Sequence, residues 1–199
     1  MNYNYLLFRL INQYSGHNLL LDNTAIYLAK YLPILFLLIL IFLWLKKDYS
    51  YKNIVLYSIY SLFLGMFFNF VISLCYYHPR PFVLHLGHTL IKHPPDTSFP
   101  SDHVTFMLSI AIELLLFKLT RKIGIILFIL GIIGGILRIY CGIHFPYDVI
   151  GSVIVSMVAA FIIYLLKNKL IFLNKVIISS LKTKLLSAKK ANRIINNNK

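Results

Sequence analysis

Five long apolar stretches, almost free of charged residues, constrain this 199-residue chain more than any other feature. They cover residues 24–45, 53–77, 104–117, 123–137 and 149–166. The first stretch contains one charged residue, Lys30, near its start. The third stretch also contains one, Glu113. A helix needs roughly 20 apolar residues to cross a bilayer, so the stretches predict an all-α, polytopic transmembrane helical bundle with five spans.

The two shorter stretches, 104–117 and 123–137, need their flanks to reach that length. Ser101 is a residue type that caps helix N-termini and would lengthen the first of them. Residues 138–141 would complete the second. Three glycines in the second stretch predict close helix packing: Gly131, Gly134 and Gly135.

The basic residues concentrate in the connections between the stretches. Segments 46–52 and 118–122 are basic, and residues 167–199 hold nine Lys or Arg and no acidic residue. The positive-inside rule therefore predicts that these segments are cytoplasmic. Loop 77–102 and turn 141–148 would then meet on the extracytoplasmic side. The net charge of +14 follows from this topology, so membrane lipids are expected partners and nucleic acid is not.

The N-terminal segment predicts a different kind of helix. Arg9 lies within a series of apolar residues at helical spacing: Leu6, Leu7, Leu10, Ile11 and Tyr14. An arginine at the centre of a crossing helix costs about 2.5–3.5 kcal/mol, which favours an interfacial helix over a sixth span. The expected organisation is an interfacial helix over 1–21, a membrane domain over 22–173 and a basic cytoplasmic tail over 174–199.

Three polar clusters fall on the side opposite to the basic segments, at 78–82, 99–103 and 138–148. Arg80 and Arg138 each offer a planar guanidinium that can bind two phosphate oxygens. Pro100 and Ser101 precede a helix whose first N–H groups, with the Ser101 hydroxyl, can receive an anion. The clusters therefore predict a phosphate site.

Two histidines and a carboxylate accompany this predicted site. His103 falls in the first turn of the third helix, and His144 lies four residues before Asp148, one turn along a helix beginning near Pro146. A carboxylate bonded to one ring nitrogen fixes the tautomer and leaves the other nitrogen as a nucleophile. We expect His144 to be the nucleophile, Asp148 to orient it and His103 to donate a proton.

The spacing of these residues resembles a known family. P-S-x-H at 100–103 and R-x5-H-x3-D at 138–148 are similar to the second and third motifs of the type-2 phosphatidic acid phosphatase superfamily. R-P at 80–81 resembles the end of its first motif, and the surrounding residues resemble its bacitracin-resistance undecaprenyl-diphosphate phosphatase branch. The resemblance implies hydrolysis of a lipid diphosphate through a phosphohistidine, without metal or cofactor, in a bacterial cell membrane.

Two positions depart from the family pattern. The first motif usually begins with a lysine seven residues before its arginine, and the third with a serine before its arginine; here these positions are Ser73 and Leu137. The first departure removes one cation from the phosphate clamp. His78 and Lys92 are the candidate replacements in the same loop.

Other functions fit parts of the pattern. The same clamp would accept another lipid phosphate, such as phosphatidic acid or phosphatidylglycerol phosphate. A lipid transporter would share the bundle, although transporters usually carry charges near the midplane in broken helices. A zinc site among the loop histidines is not favoured, because no cysteine accompanies them at a zinc spacing, and His85, His88 and His93 are expected to face solvent or headgroups. The sequence carries no signal for oligomeric state.

Overall fold

The computed structural model describes residues 3–197, with side chains for residues 3–183. The helices are α1 (Tyr3–Asn12), α2 (Leu19–Trp44), α3 (Tyr49–Cys75), α4 (Asp102–Leu116), α5 (Arg121–Tyr140) and α6 (Pro146–Asn197), with a 3-10 turn at Pro81–Leu84. No strand occurs within residues 3–197, so the predicted all-α fold is confirmed for them. Among the residues that the structure describes, four helices are long and apolar enough to cross a membrane, namely α2, α3, α5 and the part of α6 at Pro146–Thr183.

The remaining predicted span is present as α4, but it is shorter than the others. Its 15 residues cover about 22 Å, less than the roughly 30 Å of a hydrocarbon core. Ser101 occupies the predicted N-cap position, although its side chain makes no capping hydrogen bond. α4 lies in the middle of the bundle, where it contacts α2, α3, α5 and α6.

Glycines allow α5 to approach α4 closely, as the sequence predicted. A Cβ added to Gly131 would lie 2.6 Å from Leu108 Cδ2, and one added to Gly134 would lie 2.7 Å from Met107 Cε. Both distances are well below the 3.5–4.0 Å separation of carbon atoms in contact. This packing fixes the level at which Arg138 projects from the last turn of α5.

The interior of α2 contains a proline, Pro33. Proline has no backbone N–H, so the carbonyl of Ala29, four residues earlier, lacks its usual helical donor. That carbonyl accepts a hydrogen bond from Arg138 Nη1 at 3.2 Å instead. The bond ties α2 to the end of α5.

α1 packs against the end of α5 and the start of α6. The side-chain amide of Asn12 donates to the carbonyls of Tyr140 and His88, both at 2.8 Å, and its oxygen accepts from the His88 N–H at 2.7 Å. Asn4 accepts a hydrogen bond from the Tyr147 N–H at 3.0 Å. Polar side chains therefore attach this helix to the bundle.

The side of α1 that packs against the bundle contains the three buried residues of the helix, Asn4, Phe8 and Asn12. Phe8 is fully buried between the two asparagines, whereas Leu10 is 52% and Tyr14 62% exposed. In a bilayer such exposed apolar side chains contact lipid rather than water. The placement of α1 at a membrane interface stays a prediction.

α6 continues without interruption across the predicted boundary between residues 173 and 174. Asn174 is fully buried, where it donates to Asn53 Oδ1 at 3.1 Å and accepts from the Tyr60 hydroxyl at 2.9 Å. These bonds hold the middle of α6 against α3. The predicted tail thus begins inside a continuous helix, and its side chains beyond residue 183 lie outside the described part.

Candidate active site

The three polar clusters meet at one end of the bundle. Arg80 Nη1 donates to the carbonyl of Ile143 at 2.9 Å, which joins the first cluster to the third. His144 Nδ1 lies 3.0 Å from the carbonyl of Ser98, which joins the third cluster to the segment before α4. The Ser98 N–H donates to the carbonyl of His78 at 2.7 Å. Backbone and side-chain bonds together close one buried polar site.

The two ring nitrogens of His144 have different surroundings, and the residue is only 1% exposed. Nδ1 lies 3.0 Å from the Ser98 carbonyl and 3.3 Å from Asp148 Oδ2, both acceptors, so Nδ1 carries the proton. Nε2 lies 3.1 Å from Arg80 Nη1 and 3.4 Å from Arg138 Nη2, both donors. The neutral ring therefore presents the lone pair of Nε2 to two guanidinium groups.

The surroundings of His144 favour its neutral form. Burial has the largest effect and lowers the pKa of His144 to about 3, with Arg138 and Arg80 acting in the same direction. The nearby Asp148 carboxylate opposes this shift without reversing it. At neutral pH the ring therefore keeps the lone pair that a nucleophile requires.

Asp148 lies in the first turn of α6 and is fully buried. Its Oδ2 accepts hydrogen bonds from the Phe145 N–H at 2.7 Å and from the Ser98 hydroxyl. Its Oδ1 lies 3.5 Å from Nδ1 of His78. With Oδ2 held by two hydrogen bonds, the carboxylate is placed to orient His144 across one helical turn.

The guanidinium of Arg80 is fixed by its other partners. Nε donates to Asp96 Oδ1 at 2.7 Å, and Nη2 donates to the Thr97 carbonyl at 3.2 Å. Nη1 bonds the Ile143 carbonyl while it faces His144 Nε2. A planar donor held in this way suits the oxygens of a phosphoryl group on that nitrogen.

Arg138 approaches the same nitrogen from α5 and is 3% exposed. Its Nη1 bonds the Ala29 carbonyl, and its Nη2 faces His144 Nε2. Its Nε is buried and has no hydrogen-bond partner within residues 3–183. An unpaired buried donor costs about 1–3 kcal/mol, and a bound phosphate oxygen would satisfy it.

The start of α4 offers fewer free donors than the sequence suggested. The Ser101 N–H donates to Ser152 Oγ at 2.9 Å, so this amide is not directed at a ligand. The Ser101 hydroxyl is buried and lacks a partner in the described part of the chain. Pro100, buried directly before it, has no donor and contributes only to the shape of the turn. The hydroxyl and the next N–H groups of α4 remain the candidate anion donors.

His103 is half-buried in the first turn of α4 and makes no hydrogen bond within residues 3–183. It lines a cavity of about 250 Å³ beside the polar cluster. The other lining residues are Lys30, Pro33, Met66, Asp102 and Phe106. The neighbouring Asp102 carboxylate accepts from the Asn69 amide at 2.8 Å and does not bond His103. The ring of His103 is therefore available to a ligand in the cavity.

The candidate replacements for the motif lysine do not join the phosphate clamp. His78 lies against Asp148, and Lys92 is exposed. The hydroxyl of Ser73, at the motif position itself, donates to the carbonyl of Phe70 at 2.7 Å. The clamp around His144 Nε2 thus consists of two arginines in the described part of the chain.

Two serines that the sequence did not single out hold the site together. Ser98 binds Asp148 through its hydroxyl and His144 through its carbonyl. The Ser152 hydroxyl lies 3.0 Å from the Ser101 carbonyl and 2.9 Å from the Asp148 carbonyl. Ser98 precedes the second motif by two positions, and Ser152 follows Asp148 by one helical turn. These short distances from the motifs are the one feature of the sequence that would have indicated the two serines.

The loop histidines do not assemble with other ligands. His85 and His88 are exposed, and His93 Nδ1 lies 3.5 Å from Asp96 Oδ1. Across the described residues, no three His, Cys, Asp or Glu side chains lie close enough together to hold a metal ion.

The chain matches known proteins over most of its length. Residues 54–172 match the PAP2 superfamily, a segment that contains all three polar clusters. Undecaprenyl-diphosphatase BcrC of Bacillus subtilis (strain 168) is 41% identical over 161 residues, covering 81% of this chain and 82% of that protein. Putative undecaprenyl-diphosphatase YbjG of Escherichia coli (strain K12) is 30% identical over 157 residues, covering 79% of each.

Two further similarities extend the comparison. Bacitracin transport permease protein BcrC of Bacillus licheniformis is 28% identical over 171 residues, covering 85% of this chain and 83% of that protein. The crystal structure of Aquifex aeolicus LpxE has a TM-score of 0.69 at 30% identity, covering 82% of this chain and 96% of that chain. The fold and these relatives define a multi-pass membrane lipid phosphatase. The chain belongs to the PAP2 superfamily.

Proposed function

We propose that this chain hydrolyses undecaprenyl diphosphate to undecaprenyl phosphate and inorganic phosphate through a phosphohistidine on His144. The main support is the geometry of that residue, whose protonated Nδ1 is tied to Ser98 and Asp148 while its free Nε2 faces Arg80 and Arg138. The names of two relatives, Undecaprenyl-diphosphatase BcrC and Putative undecaprenyl-diphosphatase YbjG, support the choice of lipid. The reaction would recycle the carrier lipid of cell-wall synthesis.

The first chemical step transfers the terminal phosphoryl group to the enzyme. Nε2 of His144 attacks the terminal phosphorus, and the bond from that phosphorus to the bridging oxygen breaks. The two guanidiniums balance the charge on the phosphoryl oxygens, which is the largest contribution expected of a protein in phosphoryl transfer. The negative charge of the bound diphosphate favours the protonated form of His103. This histidine donates its proton to the bridging oxygen, and the lipid monophosphate leaves.

The second step returns the enzyme to its starting state. His103, now neutral, accepts a proton from a water molecule that attacks the phosphohistidine. The phosphorus–nitrogen bond breaks, and inorganic phosphate is released. Throughout, the buried Asp148 carboxylate balances the positive charge that the phosphorylated ring carries.

We place the reaction at the extracytoplasmic surface. The support for this side is the positive-inside rule, because the basic segments 46–52 and 118–122 connect helices at the end opposite to the site. Labelling of single cysteines introduced at Lys47 and His88, in a chain whose native Cys75 and Cys141 are replaced by alanine, would test it in intact cells with a membrane-impermeant reagent. Labelling at His88 alone is expected, and labelling at Lys47 alone would reverse the orientation.

The test of the activity is phosphate release by the purified full-length chain in detergent. The substrates are undecaprenyl diphosphate and phosphatidic acid, and EDTA is present throughout. His144→Ala should lower the rate on the diphosphate about 10³-fold or more, because it removes the nucleophile. His85→Ala, which alters an exposed histidine of the loop 77–102, is the control and should retain the wild-type rate.

The competing functions predict different results in this assay. Faster release from phosphatidic acid would assign the chain to another lipid phosphate. The relative named as a transport permease makes a transporter the other candidate. Turnover of neither lipid by the wild type would exclude the hydrolase and favour that candidate. A phosphoryl group that is labile in acid, and that is found on the wild-type chain but not on His144→Ala, would support the covalent intermediate.

A further inference from the structure

Lys30 is a charged residue within the apolar span α2, and it lies at the level of the candidate active site. Its neighbour Ala29 provides the carbonyl that binds Arg138. Ionisable side chains within spans are costly and usually face a polar path or a ligand. No carboxylate within residues 3–183 lies within ion-pair distance of Lys30. Its ammonium group therefore makes no ion pair in the described part of the chain, and the Asp102 carboxylate that lines the same cavity is bonded to the Asn69 amide.

Two tyrosines place Lys30 at the depth of lipid headgroups. Tyr27 and Tyr31 flank it on α2, are 64% and 49% exposed, and have ring centroids 4.9 Å apart. Exposed tyrosines of a membrane helix concentrate at the interface, beside the headgroups. Lipid phosphates lie at the same level, so Lys30 is at the depth where a phosphate would enter the site.

Lys30 also shares a cavity with the proposed acid. The cavity of about 250 Å³ has Lys30 and His103 in its lining, and its remaining walls include Met66 and Phe106. The terminal phosphoryl group must lie at His144 Nε2, between the two arginines. Because displacement at phosphorus is in line, the leaving group lies on the far side from Nε2, next to the acid. In a lipid diphosphate that leaving group is itself a phosphate.

We propose that Lys30 binds the phosphate that remains on the lipid. It thereby strengthens the binding of a lipid diphosphate without affecting the binding of inorganic phosphate or its mimics, which occupy only the phosphoryl position. This inference rests on the proposed function and assigns its specificity to α2. The arginines bind the transferred group, while Lys30 balances the charge of the departing one. The cavity beyond it, lined by Met66 and Phe106, would receive the start of the prenyl chain.

The test compares a substrate with two phosphates against an inhibitor that fills only the phosphoryl position. Purified full-length variants are assayed for kcat/KM with farnesyl diphosphate and for the inhibition constant of orthovanadate. Lys30→Met should lower kcat/KM about 10- to 100-fold, the loss expected for one charge-assisted hydrogen bond, and change the orthovanadate constant less than about threefold. Lys30→Arg should restore most of kcat/KM.

The controls separate this role from a structural one. Arg138→Lys should weaken orthovanadate and substrate together, because it alters the shared clamp. Lys92→Met, an exposed lysine of the loop, should leave both unchanged. KM and the inhibition constant are both independent of the fraction of active enzyme, whereas kcat/KM is not. A rise in KM for farnesyl diphosphate in Lys30→Met therefore distinguishes the loss of Lys30 from partial misfolding, which would lower kcat alone.

Each outcome bears on the inference. A parallel loss of substrate and orthovanadate binding in Lys30→Met, or no loss at all, overturns it, as does a substrate-specific loss in Lys92→Met instead. If wild type hydrolyses the diphosphate and only the Lys30 comparison fails, the proposed function stands alone. If wild type hydrolyses no diphosphate, both are overturned.

Discussion

Arg138 and Ala29 are joined by a hydrogen bond that a regular helix would not allow. Arg138 Nη1 lies 3.2 Å from the Ala29 carbonyl, which Pro33 leaves without a helical donor. The proline thus supplies an acceptor that holds a site arginine at a fixed position. A residue that weakens the helix locally contributes to the order of the site.

Pro33→Ala should restore the missing N–H and make it compete for the Ala29 carbonyl. We expect kcat/KM to fall about 3- to 10-fold, because Arg138 loses one hydrogen bond of ordinary strength. The thermal midpoint should not fall, since alanine favours a helix interior more than proline. Leu38→Ala, which removes a side chain 56% exposed on the same helix, is the control. An unchanged kcat/KM in Pro33→Ala would show that this bond does not position Arg138.

Ser98→Ala should reduce turnover more than substrate binding. Its hydroxyl donates to Asp148, and a hydrogen bond to a charged group contributes about 1.5–3 kcal/mol. We expect kcat to fall about 10- to 100-fold with little change in KM, measured by phosphate release. Ser179→Ala removes a hydroxyl that bonds its own helix far from the site and should behave as wild type. A wild-type kcat in Ser98→Ala would contradict the role assigned to the hydroxyl.

Chelation should leave the activity unchanged. A divalent cation at His144 Nε2 would lie against Arg80 and Arg138, whose nitrogens are 3.1 and 3.4 Å from that atom, and like charges at such distances repel. Rates measured with EDTA should agree within about twofold with rates measured with added Mg²⁺, a difference below about 0.5 kcal/mol in barrier height. Loss of activity in EDTA that Mg²⁺ or Zn²⁺ restores would count against this expectation.

Buried His144 should make stability depend on pH. Its pKa is lowered to about 3 in the folded chain, below the usual value of about 6.5, so the unfolded chain binds more protons between those values. The free energy of unfolding therefore falls as pH decreases through this window, by at most about 1.4 kcal/mol per pH unit from this residue. Thermal midpoints of wild type and His144→Gln between pH 7 and pH 4 check the sign. The variant should show the smaller decline, and equal declines would refute it.

The helices were predictable because a bilayer restricts what can cross it. Every backbone N–H and C=O in the hydrocarbon needs an internal partner, so each uncharged stretch indicates a helix. α4 is shorter than the span that was predicted from residues 104–117 and their flanks. The chain before Asp102 is not helical, and this non-helical segment carries Ser98. Hydropathy also did not identify the buried face of α1, because lipid and protein core attract the same side chains.

The residues that support the site were harder to find. The Ser98 hydroxyl contacts a carboxylate 50 positions away, and a single serine in a loop has no periodicity that would show it. In the sequence, Lys30 looks like an ordinary charged residue near the end of a membrane span. Its position in the same cavity as His103 is what indicates a different role. The arginines and histidines were recognisable because their residue types and spacing together indicate phosphate chemistry.

The attachment of α1 has a consequence for how the chain is assembled during synthesis. Asn12 bonds His88 and Tyr140, which follow it by 76 and 128 positions, so its partners do not exist when α1 leaves the ribosome. The complete set of Asn12 bonds forms only after α5 has been inserted. An element near the N-terminus is thus secured only late in synthesis, and a stalled or truncated product that ends before Tyr140 carries α1 without its bonds to α5 and α6.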